Sequence, residues 1–183
     1  MKKESGLLIL FCVSLPIALM LLSYNIVLFS TSLTQSQKQA FHFLQSDKPL
    51  SLNFTASEQS HLADVKQVMM AANYIFFGSL LMCLLIVAYY VNKKMPIEKL
   101  LQSAGATTIA VLLIILLFFL VNFNLLFTLF HHLFFPQGNW IFAADSLLIR
   151  TFPEEFFRGI SLKIFILTLL FAVVVTALSW KKR

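Results

Sequence analysis

Four stretches of this chain carry no Asp, Glu, Lys or Arg: residues 5–37, 67–92, 100–144 and 164–180, together 121 of 183 positions. A helix crosses the hydrocarbon layer of a bilayer with about 20 apolar residues. A soluble globule of this length could not enclose so much apolar surface. Hydrophobic residues make up 59% of the chain and charged residues only 12%, about half the ordinary share of a soluble domain. The sequence therefore describes an integral membrane protein. It excludes a soluble enzyme, a nucleic-acid binder and a disordered tail.

Only helices and closed barrels satisfy their backbone in lipid. Barrel strands alternate apolar and polar residues, and 111–120 does not. The expected fold is all-α, with four transmembrane helices at about 6–29, 68–91, 106–129 and 160–180. Two longer segments, 30–67 and 130–159, join them, and the whole of 1–183 forms a single membrane domain. Lys2 and Lys3 before an apolar stretch resemble a signal peptide, but the stretch reaches Phe29, too long for one. It is read as a retained first span. Cys12 and Cys83 fall inside predicted spans at different depths, as buried small apolar residues rather than a disulfide or metal pair.

Basic residues set the orientation. Lys2, Lys3, Lys93, Lys94, Lys99, Lys181, Lys182 and Arg183 lie on one side with only Glu4 and Glu98, a net +6. On the other side Lys38, Lys48, Lys66, Arg150, Arg158 and Lys163 balance Asp47, Glu58, Asp64, Asp145, Glu154 and Glu155. Both termini are expected in the cytoplasm and the two long segments outside. All four histidines, His42, His61, His131 and His132, fall in those outer segments. Residues able to do chemistry thus gather at the outer water–lipid boundary.

Three outer stretches stand out. In the first, Thr55 and Glu58 form a capping-box pattern, so a helix starts there and runs into the second span. His61 and Asp64 are three apart and share a face of it. His61 stands about seven residues, roughly 10 Å, above the span. A carboxylate beside an imidazole fixes its tautomer and stabilises its charged form; read without chemistry, the pair is a solvated turn with an incidental ion pair. In the second stretch His131 and His132 point about 100° apart on a helix that Pro136 and Gly138 terminate. Phe134, Phe135 and Trp140 there suit a membrane interface, and the histidines are either functional or part of that aromatic belt. In the third, Thr151 and Glu154 again fit a capping box with Pro153 in the first turn, and structure accounts for most of it. Asn73, Asn122 and Asn124 are expected to bond between helices. His61, His131 and a carboxylate are the obvious zinc candidates, but no H-x-x-x-H, H-E-x-x-H or G-x-S-x-G spacing occurs.

Three motifs carry a resemblance. Ser60-His61-Leu62-Ala63-Asp64-Val65-Lys66 precedes the second span. Phe130-His131-His132-Leu133-Phe134-Phe135-Pro136-Gln137-Gly138-Asn139-Trp140 follows the third. Leu148-Ile149-Arg150-Thr151-Phe152-Pro153-Glu154-Glu155-Phe156-Phe157 precedes the fourth. In this order, with this length and span count, the chain resembles the lipoprotein intramolecular transacylases of bacteria over nearly its whole length.

The resemblance implies an enzyme acting on lipoproteins whose amino-terminal cysteine bears a thioether-linked diacylglycerol. The sn-2 acyl chain moves to that cysteine's α-amino group, leaving a lyso-form lipoprotein. The implied partners are diacylglyceryl-modified lipoproteins and membrane lipids, with no nucleic acid. The implied location is the cell membrane, with the site at the outer leaflet. His61 and His131 match the two motif histidines and become the candidate catalytic pair. Asp64, Lys66, Asn139 and Trp140 are the candidates for support and orientation. Phe134, Phe135, Phe156 and Phe157 are candidates to cradle acyl chains, or to serve as plain helix packing. No role passes to His132 or Asp145.

The chemistry suits these residues. An α-amine with a pKa near 8 is mostly protonated at neutral pH, and an imidazole can remove its proton. His61, held by Asp64, would deprotonate the amine while His131 protonates the leaving oxygen or binds the oxyanion. The reverse assignment and an acyl-imidazole on His131 stay open. Ester to amide is downhill, so no cofactor and no metal are expected. A non-enzymatic accessory protein binding lipid or a membrane partner is the alternative; a metal-dependent hydrolase and a transporter rank below it.

Overall fold

Among its described residues, the computed structural model forms seven α-helices and no strand. Residues 2–46 and 48–179 are described. The side chains of Lys2 and Lys3, Asp47, the end of the fourth span at Trp180, and the terminal cations Lys181, Lys182 and Arg183 lie outside the described residues. Helix α1 spans Lys2–Ser30, α2 Gln35–Gln45, α3 Ala56–Asn92, α4 Glu98–Val121, α5 Phe123–Phe134, α6 Leu147–Thr151 and α7 Glu154–Leu178. Four of them, α1, α3, α4 and α7, are long and apolar enough to cross a membrane. They form a bundle in which α1 packs along α3, α4 and α7, and α4 along α7. The chain is a multi-pass membrane protein.

The bundle has two apolar centres. The inner one joins Phe11, Leu15 and Ala18 of α1 to Cys83, Ile86 and Tyr90 of α3 and to Leu100 and Ala104 of α4. Both cysteines are free. The outer centre joins Ala40 and Leu44 of α2 to Phe54, Leu62, Leu148 and Phe152. Hydroxyls inside the long helices mostly satisfy themselves: Ser23, Thr108, Thr168 and Thr176 each donate to the carbonyl four residues back. That carbonyl is always within reach and needs no partner helix.

The structure departs from the sequence reading at four points. The third apolar helix begins at Glu98 and stops at Val121, and a second helix restarts at Phe123. The cause is Asn122, expected to bond between helices. Its Oδ1 instead caps α5, accepting from the Leu125 N–H at 2.9 Å. Of the other two amides, Asn73 is exposed, whereas Asn124 donates to the Glu154 carboxylate at 2.9 Å and joins α5 to α7 as expected. Second, the pattern at Thr151 and Glu154 is no capping box. Thr151 is the last residue of α6, its hydroxyl donates to Leu147 O at 2.7 Å, and Pro153 occupies the cap position of α7 without a side-chain bond. Third, α7 starts at Glu154, earlier than position 160. Fourth, segment 30–67 contains α2, begun by a complete capping box between Thr34 and Gln37.

One carboxylate holds the outer part together. Glu58 closes the capping box of α3, its Oε2 accepting from the Thr55 N–H at 2.7 Å and the Thr55 hydroxyl at 3.0 Å. Its Oε1 accepts from the Leu148 N–H at 2.8 Å, across 90 positions of sequence. The residue is 1% exposed. Burial pushes its pKa up, but the bonds from Leu148, Thr55 and Leu147 outweigh it and hold the carboxyl below its ordinary range. Nearby, buried Gln37 donates from Nε2 to Thr151 O at 2.9 Å, so α2 is tied to the same short helix.

Two outcomes test this account. Glu58→Ala leaves the Leu148 N–H buried and unpaired; with the lost charge-assisted bonds it should cost on the order of 3 kcal/mol, read as a lower melting temperature in detergent. Gly105 sits where a Cβ would meet Thr176 Oγ1 and crowd the Ala172 carbonyl at 3.3 Å. Small residues of this kind let membrane helices approach closely, so Gly105→Leu should separate α4 from α7 and lower the melting temperature, while Gly78→Ala, which meets nothing within 4 Å, should not.

Candidate active site

Helix α3 has 37 residues, about 55 Å at 1.5 Å per residue, and hydrocarbon occupies only ~30 Å. Its apolar part begins at Val68, so the turns carrying Glu58, His61 and Asp64 stand beyond the spanning segment. His61 lies one turn after Glu58 and faces inward, 7% exposed. His131 lies near the end of α5 and is 8% exposed, whereas its neighbour His132 is exposed. The 100° step between successive helix residues separates them. The rings of His61 and His131 stack with centroids 6.1 Å apart and 25° between planes. His42 is exposed on α2 and takes no part.

The two imidazoles are enclosed by rings. Phe135 packs edge-on against His61 at 4.7 Å and Phe142 lies 5.7 Å from it. Phe127 covers His131 at 4.1 Å and Trp140 lies 4.8 Å from it. Trp140 also takes the edge of His132 at 5.3 Å.

Hydrogen bonds then fix the orientation of one ring. His131 Nδ1 lies 2.8 Å from Phe127 O. A carbonyl can only accept, so Nδ1 carries the proton and Nε2 keeps the lone pair. The expected direct hold of Asp64 on His61 takes another form. Asp64 Oδ2 accepts from Asn139 Nδ2 at 2.6 Å and from Gln137 Nε2 at 2.8 Å. Asn139 Nδ2 also lies 3.3 Å from Ser60 Oγ. The Asn139 amide thus stands between the carboxylate and the imidazole. His61 Nδ1, Asn139 Oδ1 and Trp140 Nε1 are buried without a hydrogen-bond partner.

Both histidines resist protonation. Burial lowers the pKa of His61 to about 4, with the neighbouring His131 adding to the effect and Asn139 and Asp64 opposing it. Burial also lowers that of His131, against the bond to Phe127 O. Both shifts favour the neutral imidazole.

The other expected residues fall as follows. Lys66 donates from Nζ to Ser46 O at 2.7 Å and lies over the Phe43 ring, bracing the end of α2. Phe134 is exposed and packs on Phe130. Phe156 belongs to the outer apolar centre. Phe157 reaches Phe127 at 5.6 Å and so touches the shell of His131 through one ring. Phe127, Phe142 and Gln137 were not singled out from sequence. Phe127 lies one helical turn before His131, and that spacing was the available signal. Among the described residues no three His, Cys, Asp or Glu side chains converge as a metal set.

The family model of the lipoprotein intramolecular transacylase Lit matches residues 17–157. The fold is similar to the solved structure of the membrane-integral lipoprotein intramolecular transacylase Lit from Bacillus cereus. That likeness has a TM-score of 0.83 at 20% identity and covers 97% of this chain and 94% of the other. Two more structures of the Bacillus cereus protein, each with one histidine replaced, match at 20% identity. The alanine form gives a TM-score of 0.81 over 98% of this chain and 93% of that one, the arginine form 0.80 over 98% and 92%. At this identity the structural likeness shows the fold. No curated protein matches the chain.

The buried neutral imidazoles make stability depend on pH. The unfolded chain takes up protons near pH 6.5, while folded His61 does so only near 4. The unfolded state therefore binds more protons in between, and stability falls as pH drops from about 6.5 towards 4. Glu58, lowered from 4.5, adds its own loss only below that value. Melting temperature measured from pH 7.5 to 4.5 should fall in the wild type and fall less in His61→Phe.

Proposed function

The chain belongs to the lipoprotein intramolecular transacylase family, and from this premise we propose that it moves the sn-2 acyl chain of a lipoprotein's S-diacylglyceryl-cysteine onto that cysteine's own α-amino group. The observation that carries the reading is the pair of stacked, buried imidazoles, one with its tautomer fixed by a backbone carbonyl. Neutral imidazole is the form able to take a proton from an amine at physiological pH.

His131 is the better base. Its Nδ1–H already donates to the Phe127 carbonyl, which stabilises the imidazolium formed when Nε2 accepts a proton. This reverses the first assignment drawn from sequence. A small turn of the Asn139 amide pairs its Oδ1 with His61 Nδ1, so that Asp64 orients His61 through Asn139. His61 Nε2 then accepts the amine's second N–H and holds the nitrogen lone pair towards the ester.

The steps balance without a further reagent. The amine, in its unprotonated form, bonds through nitrogen to the ester carbonyl carbon as His131 Nε2 takes one of its two protons. The carbonyl electron pair moves to oxygen. When it returns, the carbon–oxygen bond to glycerol breaks, and the imidazolium passes its proton to the departing glycerol oxygen. The products are an amide and a free hydroxyl. Base help of this kind contributes about 10²–10⁴-fold, and holding amine and ester of one molecule together contributes as much or more.

The positive-inside distribution supports cytoplasmic termini and a site at the outer leaflet of the cell membrane. Diacylglyceryl-modified lipoproteins are the proposed substrates. The aromatic path from Phe127 to Phe157 is the proposed bed for an acyl chain, with Phe134 and Phe156 at its margins.

Mass spectrometry of a model lipoprotein's amino-terminal peptide tests the reading, in cells that make diacylglyceryl-cysteine with and without this chain. Unchanged total mass with one chain moved to the amine is expected. His131→Ala and His61→Ala should each lower N-acylation by 10²-fold or more at equal membrane level. Asn139→Leu should lower it by about 10-fold. Full N-acylation in His61→Ala and His131→Ala would return the chain to the accessory-protein alternative.

A further inference from the structure

The roles proposed for the two histidines leave one requirement unmet. As the amine attacks, negative charge develops on the ester carbonyl oxygen, and a preorganised donor aimed there is usually the largest single contribution to catalysis. His131 carries its proton on Nδ1, towards Phe127 O, and presents only a lone pair at Nε2. In the proposed scheme His61 likewise accepts at Nε2. The Asn139 amide directs its two N–H groups to Asp64 and Ser60, and Gln137, which donates to Asp64, is exposed. The donor must come from elsewhere.

Trp140 Nε1 is buried without a partner. An indole N–H can only donate. Leaving such a donor unpaired in a protein interior costs about 1–3 kcal/mol, and unpaired buried groups are rare enough to need a reason. Its ring lies 4.8 Å from His131 and is steadied by the edge of His132 at 5.3 Å. It follows Asn139, whose amide binds Ser60 and Asp64 on the helix that carries His61. Backbone and ring are therefore both held while the N–H is left over.

We propose that the Trp140 indole N–H is the oxyanion donor of the transfer, bonding the ester carbonyl oxygen most strongly when the tetrahedral intermediate forms. The proposal rests on the transacylase reading and deepens it. Trp140 becomes a group that touches the reacting atoms rather than one that orients a histidine. No proton leaves the indole: the oxygen takes up negative charge as the carbon–nitrogen bond forms and gives it back as the carbon–oxygen bond breaks.

The test compares wild type, Trp140→Phe, and the chain carrying 3-benzothienylalanine at 140, which keeps the shape of the indole and replaces N–H by sulfur. Transfer is measured on a diacylglyceryl-lipopeptide in detergent, with kcat and KM resolved and melting temperature recorded. Both changes should lower kcat by about 10²-fold, with KM within about threefold and the melting temperature unchanged or higher, since an unpaired donor has been removed. A merely structural role would give the opposite pattern: a lower melting temperature for Trp140→Phe and full kcat for the benzothienyl form. Undiminished kcat in the benzothienyl form overturns the oxyanion role while leaving the transacylase reading intact. Absence of N-acylation by the wild type overturns both.

Discussion

Everything beyond the spanning helices hangs on the buried carboxylate of Glu58. A charge in that position is tolerated only when its oxygens are fully bonded, and here they are, by the first turn of α3 and the first turn of α6. The consequence is positional. Where Glu58 is held, His61 follows one helical turn later. Where Leu148 is held, the segment running back through Trp140, Asn139 and Phe135 to α5 must arch over that same turn. Gln37 adds α2 to the knot through Thr151. The imidazoles meet because a polar clamp, not the apolar bundle, brings three distant stretches to one place.

The local half of that clamp could be read from sequence and the distant half could not. Thr55 and Glu58 have capping-box spacing, and the box forms. Nothing near either residue announces Leu148. The same spacing recurs at Thr34 and Gln37, where it is also real, and at Thr151 and Glu154, where it is not. There the Thr151 hydroxyl turns back to its own short helix, and Pro153 takes the cap position. One spacing thus forms a box at two places and fails at a third, where a tertiary arrangement gives the hydroxyl another partner. The four apolar helices were legible because lipid allows no other solution. The break at Asn122 was not, because an amide that caps a helix and one that bridges two helices look alike in sequence.

The candidate site shows the same division. That one of His131 and His132 would face inward follows from helix geometry. That His131 rather than His132 does so came only with the family resemblance. His61 and Asp64 share a helix face as their spacing required, yet the carboxylate bonds to the amides of Asn139 and Gln137, which arrive from more than 70 positions away. Lys66 lies in the same motif as His61 but braces α2. Neighbours in a motif can serve the same element for different physical reasons.

The unbroken length of α3 has a further consequence. A single rigid rod carries His61 outward from the apolar run at a height set by residue count alone, about 10 Å above Val68. Such a rod works as a depth gauge. In a bilayer thicker or thinner than its apolar run, the rod must tilt or the lipid must deform, and either response shifts the imidazoles relative to the plane in which glyceryl esters lie. If the chain performs the proposed transfer, its rate becomes a function of membrane thickness.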